Sequence, residues 1–348
     1  MPADAVEDAP PGRAASAAGE VGGPGGPGDP GRPGDPRTPG QPGRSGRSAA
    51  YAKARRRRRT RTAVEAYLLL APSLFGFLAF LVAPVVIVFV LSLFSWNLIT
   101  SPQFVGLANY RRMFGDSQSW HALLNTAYYV VLNIPIQTVL ALLLALVLNR
   151  KMRGSKFFRV LFVLPWMAMP VALGVIWNWF FDPRSGIIDH VISLLGFTGP
   201  NWLTSTTWAM PVIASVNVWQ YTGYTMLFLL AGLQAIPQQV YEAAALDGTN
   251  AFQRFFRITL PLLRPSMFFV LVTNVIGSFQ QFDTVYVMTQ GGPGQSTTTM
   301  NYYIYQQAFQ LFHAGYAATL SILLFAVILL VTIVQFRYFR KRTIYDFS

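Results

Sequence analysis

Six stretches of this chain are long and apolar enough to cross a lipid bilayer, and nothing else in the sequence constrains its fold as strongly. A helix rises about 1.5 Å per residue and the hydrocarbon core is about 30 Å thick, so one crossing needs roughly 20 apolar residues. Residues 67–93, 123–148, 160–180, 208–233, 266–288 and 317–336 satisfy that length. Lipid offers no partner to an open backbone amide, so each stretch must close its hydrogen bonds internally as a helix. The chain is predicted to be an all-α membrane protein with six transmembrane helices. Pro84, Pro135, Pro165, Pro170 and Pro211 fall inside these stretches. They would break soluble helices, but neighbouring helices in a bundle can satisfy the carbonyls they free.

Composition agrees with lipid as the solvent: 53% of the 348 residues are hydrophobic and only 12% charged. Cysteine is absent, which excludes a thiolate metal site, a disulfide framework and a cysteine nucleophile. The three histidines, His121, His190 and His313, lie away from the span centres, so no metal, cofactor or catalytic constellation is predicted. The formal charge of +13 is not that of a nucleic-acid binder, because the basic residues cluster at the ends of apolar runs rather than over a folded face.

That clustering sets an orientation. Arg150, Lys151, Arg153, Lys156 and Arg159, then Arg254, Arg257 and Arg264, then Arg337, Arg340, Lys341 and Arg342 fall in alternate connections, against Arg111, Arg112 and Arg184 in the others. Basic loops are retained in the cytoplasm, so both termini are predicted to be cytoplasmic. Residues 1–60, rich in Pro and Gly and ending in a basic run, are predicted to be a disordered cytoplasmic tail. The membrane-spanning core would cover 61–340, with 341–348 as a short cytoplasmic end. The stretch after the basic run is too long for a signal-peptide core and reads as an uncleaved first span.

The connection over 234–264 is amphipathic where its neighbours are not. Pro237 suits a first helical turn, Glu242 to Leu246 are strong helix formers, and Gly248 supplies a backbone able to turn at the helix end. A second short helix carrying Phe252, Phe255 and Phe256 would follow and stop at Pro261. Ala243 to Ala245 make a narrow face that a partner can approach closely, and Glu242 offers a carboxylate to an arginine. The plainer reading is that a Glu-Ala-Ala run forms a stable helix and nothing more.

Glu242-Ala243-Ala244, then Gly248, then Ile258 and Leu260-Pro261, in a connection between the fourth and fifth spans, resemble the EAA signature of ABC-importer permeases. Over about residues 60–345 the chain resembles the carbohydrate type of that family, in the branch of the maltose F-subunit and the glycerol-phosphate A-subunit. Ser278 to Pro293, with Gly291-Gly292-Pro293, is similar to the fifth span and following loop of the F-type subunit. The resemblance implies a multi-pass protein of the bacterial cell membrane with several partners. These are a second homologous permease, a cytoplasmic ATPase dimer, an extracytoplasmic solute-binding protein and a sugar substrate. It also implies that Glu242, Ala243, Ala244 and Gly248 belong to a coupling helix seated in the ATPase.

Polar residues in spans are costly unless they face a pore or a partner helix. Asn217, Gln220, Tyr221 and Tyr224 share one helical face of the fourth span, and Asn274, Ser278 and Gln281 form a comparable stripe on the fifth. Amides, hydroxyls and aromatic rings satisfy and stack on a sugar, and neither span holds a Lys or Arg that would attract an anion. The resemblance implies substrate contacts at Asn217 and Tyr224, with further ones at Gln220, Ser278 and Gln281. The alternative is that these groups only bond helix to helix, each such bond contributing about 0.6 kcal/mol. Asp283 is the single acidic residue within the fifth predicted span.

No P-loop is present, so ATP hydrolysis is assigned to a separate subunit and the chain is read as a transport subunit rather than an enzyme. A secondary transporter without an ATPase is the competing class, and glycerol phosphate the competing cargo.

Overall fold

The computed structural model describes residues 66, 67, 69–150 and 153–340, so the tail expected over 1–60 and the end at 341–348 lie outside the described residues. Internal contacts divide the chain after Leu70, and the architecture below is that of the unit beginning at Ala71. It is almost wholly helical. A two-residue antiparallel pairing, Phe94–Ser95 with Gln103–Phe104, is the one departure from all-α among the described residues.

Among the described residues three helices qualify as membrane spans by length and apolar content: α1 (Leu69–Leu91), α3 (Ser117–Asn149) and α13 (Ala314–Arg340). Helix α2 (Ala108–Gly115) precedes α3. Two bent pairs raise the number to five if each is one crossing. The first pair is α4 (Ser155–Met167) with α5 (Pro170–Phe180), at 94°; the second is α9 (Ala251–Leu262) with Arg264–Met288, at 66°. Between them lie α6 (Ile187–Leu194), α7 (Ala209–Gln234) and α8 (Gln238–Leu246). Helix α7 has 26 residues, about 39 Å of rise, but Asn217, Gln220, Thr222 and Thr225 make it too polar to qualify by composition.

Two predicted spans are therefore not single straight helices. The stretch at 160–180 breaks at Ala168 and Met169, both extended, because Pro170 disfavours a helical conformation at the residue before it and brings no N–H to continue the ladder. Pro165, by contrast, is tolerated inside α4, and Pro135 inside α3. The stretch at 266–288 divides into α10 (Arg264–Phe279) and α11 (Asp283–Met288), with Phe282 off the helical region at φ −137°, ψ −55°. Asp283 consequently opens α11 and is exposed, rather than lying deep in a continuous fifth helix. In α1 the ring of Pro84 is accommodated by a π-helical turn over Leu78–Val82.

Helix α3 is the central post. Its Ala141 and Ala145 are wholly buried and share a cluster with Met226, Leu229, Leu230 and Leu233 of α7. On its other flank Ile134 packs with Val275 and Phe279 of α10 and Leu320 and Leu324 of α13. Lipid tails are as apolar as leucine, so close packing and interhelical hydrogen bonds, not water exclusion, hold such a bundle. Gly223 shows the demand for closeness: a Cβ there would strike the Phe162 carbonyl of α4.

One end of the bundle is tied by Asp116. Its Oδ1 caps α3 by accepting from the Gln118 amide at 3.0 Å, and its Oδ2 accepts from the hydroxyls of Tyr303 at 2.7 Å and Tyr316 at 2.5 Å. Tyr303 lies on α12 (Met300–Tyr305) and Tyr316 on α13, and the Arg112 guanidinium sits 4.1 Å over the Tyr316 ring.

Candidate functional site

A cavity of about 290 Å³ opens between α3, α4, α7 and α10, lined mostly by neutral polar and aromatic side chains. Helix α7 contributes Asn217, Tyr221 and Tyr224, which its 3.6-residue turn brings to one face. Helix α10 contributes Thr273, Asn274, Gly277 and Ser278. Gln281 also lines the cavity, although it lies beyond the end of α10 and not on the helical stripe expected for it. Gln220 is 2% exposed and is not among the lining residues.

Sequence reasoning missed the wall supplied by α3. Tyr129, Asn133 and Gln137 recur there every fourth residue, a polar stripe in a span that the same rule applied to α7 would have found. Burying amides is costly unless they are bonded, and most of these are. Asn133 Nδ2 donates to Ser278 Oγ at 3.0 Å and to Gln137 Oε1 at 3.2 Å. Gln137 Nε2 donates to Thr225 Oγ1 at 2.8 Å, and Asn274 Nδ2 reaches the same oxygen at 3.4 Å. Asn217 Nδ2 donates to Thr284 Oγ1 of α11 at 3.0 Å, joining α7 to the helix that follows the break after Phe279. Asn133 Oδ1 is buried with no hydrogen-bond partner among the described residues, an unused acceptor on a residue of the cavity wall.

Trp166 of α4 completes the site, its ring stacked on Tyr224 at 4.6 Å between centroids and 18° between planes. An aromatic pair beside unsaturated amide capacity suits a polyhydroxyl ligand, whose C–H faces stack and whose hydroxyls both donate and accept. Among the described residues no charged one lines the cavity.

The second predicted site follows α7. Pro237 is the residue before the first turn of α8, with ψ 134°, rather than a member of it. Ala243 and Ala245 are exposed, while Ala244 is buried, so the three alanines do not share one face. Ala244 instead anchors the turn, its carbonyl accepting from the Thr249 amide at 3.1 Å. Glu242 is exposed and its Oε1 accepts from Gln238 Nε2 at 2.9 Å. Gly248 takes φ +74°, a left-handed backbone that closes the helix, with open space where a side chain would be. Asn250 and Gln253 form a capping box that starts α9, and Tyr241 Oη and Thr259 Oγ1 at 3.1 Å pin α8 to it. Leu246, at 90% exposure, and the paired rings of Phe252 and Phe256, 4.5 Å apart, leave an apolar patch on this turn.

Residues 119–345 match the family model described as the binding-protein-dependent transport system inner membrane component. The chain is 38% identical over 280 residues to the sulfoquinovosyl glycerol transport system permease protein SmoG of Agrobacterium fabrum, covering 80% of this chain and 91% of that protein. It is 35% identical over 283 residues to the trehalose/maltose transport system permease protein MalF of Thermococcus litoralis, covering 81% and 96%. The fold is that of a chain from a bacterial ABC transporter involved in the import of the acidic polysaccharide alginate, with TM-score 0.72 at 24% identity over 83% of this chain and all of that one. The chain therefore belongs to the family of binding-protein-dependent transport system inner membrane components, as a permease subunit of an ABC importer.

Proposed function

We propose that this permease subunit crosses the membrane six times with both termini in the cytoplasm, and that it forms one half of a path for a neutral sugar or polyol. The second half is a homologous permease, with an ATPase dimer on the cytoplasmic side and an extracytoplasmic binding protein delivering the cargo. The polar cavity is the single observation that carries the cargo assignment: amides, hydroxyls and the Trp166–Tyr224 pair line it, and no cation does. An anionic cargo such as glycerol phosphate would leave its charge unpaired there, a costly arrangement in a low-dielectric bundle. Asn217, Tyr224, Ser278 and Gln281 are assigned to substrate contact, and Gln220 to supporting the wall from behind.

Glu242, Ala243, Ala244 and Gly248 are assigned to coupling. The short α8–α9 turn, with its exposed glutamate and apolar Leu246 and Phe252, has the size and polarity of a knob that fills a cleft on a partner. Closure of the ATPase pair around nucleotide would draw this knob inward and tilt α7 and α10, which carry the cavity.

Two substitutions test the halves of the reading separately. Asn217→Leu should raise the sugar concentration that supports half-maximal uptake while the complex stays intact; unchanged uptake removes Asn217 from the pathway. Glu242→Lys and Gly248→Trp should release the ATPase on co-purification of membrane-inserted protein; undiminished association overturns the coupling role.

A further inference from the structure

A second large cavity, about 1070 Å³, lies where α3 ends, α4 begins and α7 passes into α8. Since three helices terminate around it, it sits at one end of the bundle. Arg150, Lys156 and Arg159 line it together, and among the described residues no acidic one does. Arg159 is the most telling of them. Among the described residues its Nη2 reaches the Leu148 carbonyl, at 3.5 Å, and its Nε is buried with no hydrogen-bond partner. A buried guanidinium donor without an acceptor is costly, and the site as it stands does not satisfy it. Basic loops orient membrane proteins wherever the charge happens to sit, so orientation alone does not require a buried, unpartnered Nε. The facing wall adds neutral donors in Gln234, Gln238 and Tyr241, the last two on α8.

We propose that this cavity binds a phosphate group, presented by an anionic lipid headgroup or by a soluble phosphate ester. Phosphate oxygens accept from a guanidinium at well-defined angles, from the ammonium of Lys156 as a point charge, and from side-chain amides. Basic pockets between helices at a membrane face suit lipid headgroups of this kind. An occupant held by Arg159 on one side and Gln238 on the other ties the start of α4 to the root of α8. The site rests on its own geometry and does not depend on the coupling role given to α8.

The test is made on the complete, assembled complex taken from vesicles of phosphatidylcholine and phosphatidylglycerol, with retained lipid counted by native mass spectrometry. Arg159→Gln and Lys156→Gln should each lower phosphatidylglycerol retention about fivefold, while Arg337→Gln, at the exposed end of α13 and outside the cavity, leaves it unchanged. Inorganic phosphate that strips the lipid from the native complex identifies a site open to soluble phosphate esters; lipid that resists phosphate identifies the headgroup as the occupant. Lys156 is exposed, so its loss does not threaten folding. Equal retention in Lys156→Gln and the native complex overturns the proposal. So does loss of the ATPase with lipid retention unchanged, which would make the cavity a protein contact.

Discussion

The indole of Trp166 lies flat against the phenol ring of Tyr224, 4.6 Å away, across the joint between α4 and α7. The pair borders the polar cavity just before the 94° break that follows Met167, so the ring is placed by a helix that has one residue left to run. Tyr224 is backed in turn by the edge of Phe228, at 4.9 Å. If this platform stacks on the transported sugar, Trp166→Ala removes one aromatic contact of about 1 kcal/mol, a roughly fivefold rise in the concentration giving half-maximal uptake. Uptake measured against substrate concentration, at equal membrane abundance, checks it. Trp166→Phe should restore most of the loss.

The hydrogen-bonded wall behaves differently. Gln137 donates to Thr225 at 2.8 Å and accepts from Asn133, so Gln137→Leu strips a donor from one buried residue and an acceptor from another. The expected loss is about 1–3 kcal/mol of stability, read as a lower melting temperature of the purified complex in detergent. Gln137→Glu, which introduces a buried charge, should be worse.

The reach of the sequence can be judged from these same residues. The apolar runs were legible because bilayer thickness fixes their length, whatever the packing. Which proline would break its helix was not: Pro165 stays within α4 and Pro170 starts a new one, a difference that depends on where the chain must turn against α7 and α11. The cavity stripe on α7 was legible from helical spacing, whereas Gln281 reaches the cavity only because α10 ends at Phe279. Gln220 has the spacing and not the exposure to the cavity, because period alone does not say which edge of a stripe a neighbouring helix will cover. The Asp116 knot joins residues 187 and 200 positions apart, and no local pattern encodes such a pairing.

Close approach makes its own prediction. Any side chain at Gly223 meets the Phe162 carbonyl, which is backbone and cannot rotate away, so α4 and α7 must separate. Gly223→Ala should cost about 1–3 kcal/mol and shift the Trp166–Tyr224 stack with it. Gly76→Ala on α1, where an added methyl meets nothing within 4 Å, serves as the control and should be neutral or slightly stabilising. Melting curves of the two variants, with tryptophan fluorescence as a second readout, separate a packing defect from a general intolerance of substitution.

Asp116 gives the fold a dependence on pH. Burial raises its pKa, but this is outweighed by the hydroxyls of Tyr316 and Tyr303 and the amides of Gln118 and Ser119, which together hold the carboxyl below its usual range. A carboxylate whose folded pKa is depressed stabilises the fold above its unfolded pKa, and that contribution is lost as pH falls through the folded one. Stability should therefore fall progressively below about pH 4 as the carboxylate gains a proton and the two tyrosine hydroxyls lose a charged acceptor. Asp116→Asn, which cannot titrate, should be less stable at neutral pH and should flatten this part of the acid limb. Tyr316→Phe should lower stability less, because Tyr303 and the Gln118 amide still hold the carboxylate. Melting temperatures of the three proteins from pH 7 to pH 3 decide the matter: parallel curves for the native protein and Asp116→Asn would show that the carboxylate's charge contributes nothing to joining α3 to α12 and α13.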